Sequence, residues 1–117
     1  MNEESTLLNQ SINRELHTTP LIIAAKLDHF KILHLLLAAG ADANYQSSAG
    51  WTALMYAGAN NNLKAAKLLI EKYGADATLR NKSGDTAADN ADRIYNLGGD
   101  VSIEMVKYLR RAEQAHG

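Results

Sequence analysis

Thr19-Pro20-Leu21-Ile22-Ile23-Ala24-Ala25 recurs further along the chain as Thr52-Ala53-Leu54-Met55-Tyr56-Ala57-Gly58, with Thr52 in the place of Thr19. A second pair keeps the same offset. Leu35-Leu36-Leu37-Ala38-Ala39-Gly40-Ala41-Asp42-Ala43-Asn44 matches Leu68-Leu69-Ile70-Glu71-Lys72-Tyr73-Gly74-Ala75-Asp76-Ala77-Thr78 if Tyr73 is a one-residue insertion. A third start, Gly84-Asp85-Thr86-Ala87-Ala88, places Thr86 one position later than the offset alone would, which the same insertion accounts for. Self-similarity at a fixed period, here about 33 residues, marks a stack of identical supersecondary units.

Each unit reads as two short helices and a projecting loop. Thr19 is an N-cap, and Pro20 stands at the first helical position, where its missing N–H costs nothing. The first helix ends after Lys26, and Leu27-Asp28-His29 turns into a second. There Phe30, Leu33, Leu36 and Leu37 recur at spacings of three and four and make one apolar stripe. Gly40 stops that helix, as a residue in the left-handed region just past a helix end does. Ala41 to Trp51, with Asn44, Ser47, Ser48 and Gly50, is rich in turn formers and projects as a loop or hairpin, a finger.

Composition is consistent with such a stack. Of 117 residues, 12 are basic and 13 acidic, for a net charge of −1. That balance lacks the basic stripe of a nucleic-acid-binding module. No run of 18 apolar residues exists to span a membrane, and Met1 to Gln10 carries two Glu and no basic residue, unlike a secretory signal. The absence of cysteine removes disulfides, thiolate metal sites and thiol catalysis. Leu, Ile, Val and Phe make up only about 22% of the chain, barely above the level at which disorder becomes the default. Nineteen alanines compensate if neighbouring helices pack closely in a thin layer instead of around one deep core.

The residues resemble the ankyrin repeat, a 33-residue unit with T-P-L-H-x-A-A early and a leucine run ending in G-A-D-x-N late. Thr19 to Ala25 and Leu35 to Asn44 match nearly in full; Gly50-Trp51-Thr52-Ala53-Leu54, Gly74-Ala75-Asp76 and Gly84-Asp85-Thr86-Ala87 match in the later units. The resemblance covers Asn13 to Ala112 and implies an all-α solenoid of stacked helix-turn-helix units with projecting finger loops. On that frame residues 1–5 are a disordered tail, 6–13 a partial N-terminal cap, 14–46 and 47–80 the first two repeats, 81–112 a divergent C-terminal repeat, and 113–117 a tail. The family's His after T-P-L is Ile22, Met55 and Asp89 here, so its polar bridge gives way to apolar packing in the first two units. In the third unit the helix beginning at Ile103 stands further from Thr86 than Phe30 stands from Thr19. About six residues are therefore inserted near 92–102, lengthening the first helix toward Tyr95 and leaving a loop around Asn96-Leu97-Gly98-Gly99. Terminal units are commonly atypical in this way, because one face meets water.

Catalytic constellations are weak. His29 and His34, five positions apart, lie on different sides of a helix, unlike the paired ligands of zinc hydrolases. His17 falls in a finger and His116 in the tail. Gly98-Gly99 lacks the strand and spacing of a nucleotide loop, and Asp85, Asp89, Asp92 and Asp100 lack the alternate spacing of a calcium loop. No enzyme activity, metal or cofactor is expected.

By the resemblance, partners bind at the finger tips and the concave face of the first helices. The positions carrying that expectation are Leu16, Thr18, Lys26, Leu27, Ser48, Trp51, Asn60, Lys82, Asp85, Arg93 and Ile94. Trp51, the only tryptophan, either anchors a partner, a role for which Trp is enriched, or packs flat on the neighbouring finger. Leu27 and Ile94 either widen an apolar patch or lie under the insertion of the third unit. The expected function is non-catalytic protein–protein interaction by a cytoplasmic chain that is monomeric by itself and binds neither nucleic acid nor membrane. The alternative is a dedicated inhibitor or immunity protein that occludes one cognate enzyme or toxin.

Overall fold

The computed structural model describes residues 19–116, with side chains through Ala115. Among these residues it is helical, without strands: α1 (Pro20–Lys26), α2 (Phe30–Ala38), α3 (Ala53–Ala59), α4 (Leu63–Lys67), α5 (Ala87–Asn96) and α6 (Ile103–His116). The tail at 1–5, the cap at 6–13, Leu16, His17 and Thr18 lie outside the described residues.

The three threonines that mark the units start the three first helices. Thr19, Thr52 and Thr86 have extended backbones, and their hydroxyl oxygens accept from the N–H of Ile22, Met55 and Asp89. Each satisfies one N–H that a helix start leaves orphaned. Asp89 at the third position also accepts from the Thr86 N–H at 2.9 Å, closing a capping box. Where Ile22 and Met55 stand instead, each side chain is 1% exposed and joins the core. Apolar packing thus replaces the family's histidine in two units, and a carboxylate replaces it in the third.

The helix-to-helix turns hold a left-handed residue, Asp28 at φ 60° and Asn61 at φ 56°. These two residue types tolerate that region because their short polar side chains bond locally. Here they bond to the next unit: Asn62 Nδ2 donates to Asp28 Oδ1 at 2.7 Å, and Ser102 N–H donates to Asn61 Oδ1 at 3.0 Å. Asn60 adds a third link, its amide donating to the carbonyl of Ala25 at 2.9 Å at the end of α1.

The first helices form one continuous row, α1 on α3 and α3 on α5, with α2, α4 and α6 packed behind their own partners. More than half of the buried apolar residues are alanine, including Ala24, Ala25, Ala57, Ala66, Ala87 and Ala91. Large side chains, Leu21, Leu33, Leu54, Leu69, Met105 and Leu109, fill the space between helix layers. Small residues bring backbones together and a few bulky ones seal each layer, so the low content of bulky residues suffices.

Tyr73 is absorbed by a widened last turn. After Lys67 the helix continues as a π-helical turn over Leu68–Lys72, with Tyr73 N–H donating to Leu68 O at 3.3 Å and Ala75 N–H to Leu69 O at 2.8 Å. An extra residue inside a helix is commonly accommodated in this way, and here it returns Gly74 to the left-handed stop, φ 67°. The insertion in the third unit appears as a ten-residue α5 followed by a loop that folds back, Gly99 N–H donating to Ile94 O at 2.8 Å. The end of the chain requires a correction. Residues 113–117 are expected as a tail, yet α6 continues to His116, and Glu113 accepts from the Thr86 hydroxyl at 2.7 Å. That bond holds the final turns against the start of α5.

The fingers repeat each other as well. Ser47 N–H donates to Trp51 O and Asn81 N–H to Asp85 O, both at 2.9 Å, and Gly50 and Gly84 close the tips by donating to Ser47 O and Asn81 O. Neighbouring fingers are joined by Lys82 N–H to Ala49 O at 3.0 Å and by Gln46, whose amide reaches Gly50 O and Arg80 O.

Candidate functional site

Stacking turns each sequence position into a column across the first-helix face. Ile23, Tyr56 and Asn90 form one column, Lys26, Ala59 and Arg93 a second, and Leu27, Asn60 and Ile94 a third, since each set recurs at the same offsets as Thr19, Thr52 and Thr86. The columns change character along the stack, from Ile, Lys and Leu in the first unit, through Tyr, Ala and Asn in the second, to Asn, Arg and Ile in the third.

The aromatic feature is a pair. The Trp51 ring lies 4.7 Å from that of Tyr56, tilted by 34°, and both are half-buried. Offset pairs at this separation add about 0.5–1.5 kcal/mol beyond area burial. The stacking partner of Trp51 is therefore a residue of α3 in its own unit. Burial raises the Tyr56 hydroxyl above its ordinary pKa, so it stays a neutral donor and acceptor beside an apolar step.

The third unit carries a network of ion pairs. Asp85, Asp89, Asp92, Arg93, Asn96 and Arg110 line an open groove of about 420 Å³. Arg93 pairs with Asp85 at 2.8 Å, and Arg110 reaches Asp89 at 2.8 Å, Asp92 at 3.5 Å and Glu113 at 3.5 Å. Arg80 approaches Asp89 from the finger at 3.6 Å. The network extends the charge of the third unit from α5 to α6 and the finger. Asn90 in α5 is 5% exposed; its Oδ1 accepts from Arg93, while its Nδ2 has no partner among the described residues.

Partial burial would raise the pKa of Asp89, but the hydrogen bonds from Thr86 and Arg110 outweigh it, and the carboxyl sits below its ordinary 3.8. A carboxylate depressed by folding contributes stability that is present above the unfolded-state pKa and disappears as pH falls through the folded-state value. Wild type is therefore expected to lose melting temperature progressively from about pH 5 downward. Asp89→Asn should start lower at pH 7 and show a shallower loss over that window. Melting curves at half-unit pH steps check this, and parallel curves for the two proteins would contradict it.

The remaining sites expected from sequence are placed as follows. Lys26 and Lys82 are exposed, and Ser48 is half-buried at a finger tip. Leu27 is 56% exposed. Ile94 lies under the returning loop, close enough that a Cβ on Gly99 would come within 2.5 Å of its Cγ2. Asn60 is engaged with the end of α1, and Arg93 and Asp85 are paired with each other. The structure thus separates an aromatic step at Trp51 and Tyr56 from a charged groove around Asp85 and Arg93. Sequence reading did not place Tyr56 or Arg110 at a site, and it weighed Asp89 only as a replaced histidine and as one of four closely spaced carboxylates. Only the column rule could have flagged Tyr56, and the contact of α6 with α5 is long-range.

A cavity of about 10 Å³ between the first two units, lined by Ala24, Ala25, Leu33, Ala57 and their neighbours, is at the limit for a single water. Among the described residues no group of three His, Cys, Asp or Glu could hold a metal ion, and no helix is long and apolar enough to cross a membrane.

Comparison with known proteins gives the same architecture. Residues 3–91 match a family model described as ankyrin repeats, three copies. The chain is 41% identical over 92 residues to ankyrin repeat and SAM domain-containing protein 6 of Rattus norvegicus, a match covering 78% of this chain and 10% of that protein. It is 40% identical over 81 residues to the probable 26S proteasome regulatory subunit p28 of Saccharomyces cerevisiae, covering 68% and 36%. It is 37% identical over 84 residues to the human NAD-capped RNA hydrolase NUDT12, covering 72% and 18%. The chain spans between about a tenth and just over a third of these relatives, so what they share with it is the repeat region. Repeats of this kind generally serve as protein–protein interaction modules. A fixed repeat period, three capped first helices in a row and a family match over most of the chain agree, and the chain belongs to the ankyrin repeat family.

Proposed function

We propose that this chain recognises another protein through the first-helix face and the finger tips, with Trp51 and Tyr56 as the aromatic anchor. The observation that carries the reading is the half-buried Trp51–Tyr56 pair beside the finger turn at Gly50. An aromatic pair already packed in one geometry presents apolar area with little ordering cost, and Trp and Tyr are enriched among residues that dominate binding energy. Lys26 and Lys82, exposed in the units on either side, supply polar neighbours of the kind that rim interfaces. No reaction chemistry is part of the proposal.

The test uses the single tryptophan as the reporter. Partner captured from the native source on immobilised wild type is expected to be lost, by tenfold or more, on Trp51→Ala, and to be weakened by Ala59→Arg, which leaves the aromatic pair in place. Added partner should shift the emission of Trp51. Equal recovery by all three proteins with unchanged emission overturns the reading. The same titration distinguishes a general adaptor from a dedicated inhibitor: the inhibitor role requires nanomolar or tighter affinity for one cognate enzyme or toxin, whose activity it abolishes.

A further inference from the structure

The near-balance of 12 basic and 13 acidic side chains hides an uneven distribution. The second helices, α2, α4 with its π-helical turn, and α6, carry seven Lys or Arg against three Glu, and the rest of the chain carries five against ten. Around the groove of the third unit the arginines are neutralised, since Arg80, Arg93 and Arg110 all pair with carboxylates. The lysines of the second helices are not. Lys31, Lys64, Lys67 and Lys107 are exposed, as is Arg111, and none has an ion pair among the described residues. The repeat register aligns these charges. His34, Lys67 and Lys107 hold one position of successive second helices, with Lys31, Lys64 and Glu104 a turn earlier and Ala38, Glu71 and Arg111 a turn later. Positions three and four apart share a helix side. Leu33, Ala66 and Val106, between the rows, are buried, so the three rows face outward. Two lysines are also tied across units. Lys64 Nζ lies 4.8 Å from the centre of the Phe30 ring in the unit before, and Lys67 Nζ lies 5.9 Å from that of Tyr108 in the unit after. An ammonium group over a ring keeps its charge but loses freedom, which lowers the ordering cost of binding.

We propose that this second-helix face binds an acidic helical segment of another protein, with carboxylates on Lys64, Lys67 and Lys107. Charge complementarity selects an anionic occupant, and the arrangement selects its kind. Helices packed side by side stand about 8–10 Å apart, and successive turns of one helix about 5.4 Å apart. A crossing helix with Glu or Asp at each turn repeats its carboxylates at about 5.4 and 10.8 Å. It therefore meets charges both within one unit and across two. A membrane surface fits less well, because the three rows hold no large apolar side chain to enter the lipid interface. Nucleic acid fits less well too. The Phe30 and Tyr108 rings that could stack bases are half-buried and lie against the lysines. Glu71 and Glu104 stand within the rows, where discrete carboxylates can avoid them and a continuous line of phosphates cannot. The face lies behind the first helices and does not involve Trp51 or Tyr56, so the inference does not depend on the function proposed above.

The test uses the full 117-residue chain and four probes. These are a labelled helical peptide with Glu at each turn, its Gln counterpart, a labelled DNA duplex, and phosphatidylserine vesicles, followed by anisotropy or cosedimentation. Expected is binding of the Glu peptide that weakens as salt is raised and is at least tenfold tighter than that of the other three probes. Combining Lys64→Glu, Lys67→Glu and Lys107→Glu should weaken it by tenfold or more, whereas Lys→Arg at the same three positions should retain it. Lys26→Glu with Lys82→Glu, away from this face, should leave it unchanged. All five lysines are exposed, and a melting curve of each variant verifies folding. Lys67→Gln alone, the mildest change, should cost about threefold. No binding of the Glu peptide by wild type overturns the proposal, as does equal binding by wild type and the charge-reversed triple variant. Tighter binding of the duplex or the vesicles assigns the face to phosphates or to lipid and overturns it as well.

Discussion

Gly50→Ala is expected to destabilise the protein by about 2–5 kcal/mol, whereas Gly84→Ala at the equivalent position of the next finger should cost only about 1–2 kcal/mol. Both glycines close a finger tip in the left-handed region, at φ +82° and +84°. An L-residue there places its Cβ against the following carbonyl, which accounts for the smaller loss at Gly84. At Gly50 a Cβ would also come within 2.8 Å of Asn81 Cα and 2.9 Å of Lys82 N. Those are backbone atoms of the next finger, held by the 3.0 Å bond from Lys82 N–H to Ala49 O. They cannot rotate aside as a side chain would, so the fingers must part and overpacking adds to the strain. Around Gly84 nothing among the described residues, its chain neighbours apart, lies within 4 Å of that Cβ. Urea unfolding of the two variants measures the difference, which isolates the contact between fingers from the intrinsic cost of φ. Equal losses would show that the fingers move apart without resistance.

Leu109→Ala is expected to cost about 2–5 kcal/mol, a drop in melting temperature of roughly 10–25 °C for a domain of this size. Leu109 is 0% exposed in α6, and truncating it leaves a cavity that rigid helices fill only in part. The neighbouring glycine gives this prediction its test. A Cβ on Gly58 in α3 would stand 2.9 Å from Leu109 Cδ1, so Gly58→Ala in wild type gains helix propensity, worth about 1 kcal/mol, but must push a fully buried leucine. In the Leu109→Ala background that obstacle is gone and the added methyl occupies part of the cavity. Gly58→Ala should therefore be neutral or destabilising alone and stabilising in combination, a coupling of about 0.5–3 kcal/mol. Strict additivity by calorimetry would mean that α6 does not rest on α3 through this leucine.

Much of the fold was legible from the sequence because its determinants are local. Thr19, Thr52 and Thr86 announce helix starts, since a side-chain oxygen three positions before a free N–H is a short-range device. Gly40 and Gly74 announce helix ends for a comparable reason. The one-residue insertion at Tyr73 was visible as a break in register, although its resolution as a π-helical turn depended on the backbone bonds around it. The expected tail at 113–117 failed for a long-range reason. Glu113 is held by Thr86, 27 residues earlier, and no local pattern near the C-terminus encodes that contact. The candidate site was partly legible in the same sense. Trp51 stands out in composition, but its partner Tyr56 became visible only when α3 placed the two rings 4.7 Å apart.

What the sequence alone determined is the repeat: its period, the helix pair in each unit, the finger and the reliance on alanine, all written in spacings no longer than one unit. What only the tertiary structure decided is which equivalent residues behave alike. Gly50 and Gly84 have nearly the same φ, but one lies against the next finger and the other does not. Ile32 and Met105 occupy one repeat position, but one is half exposed and the other sealed. The physical reason is that burial belongs to the pair of units in contact: Met105 has the second unit packed before it, whereas among the described residues no unit precedes Ile32.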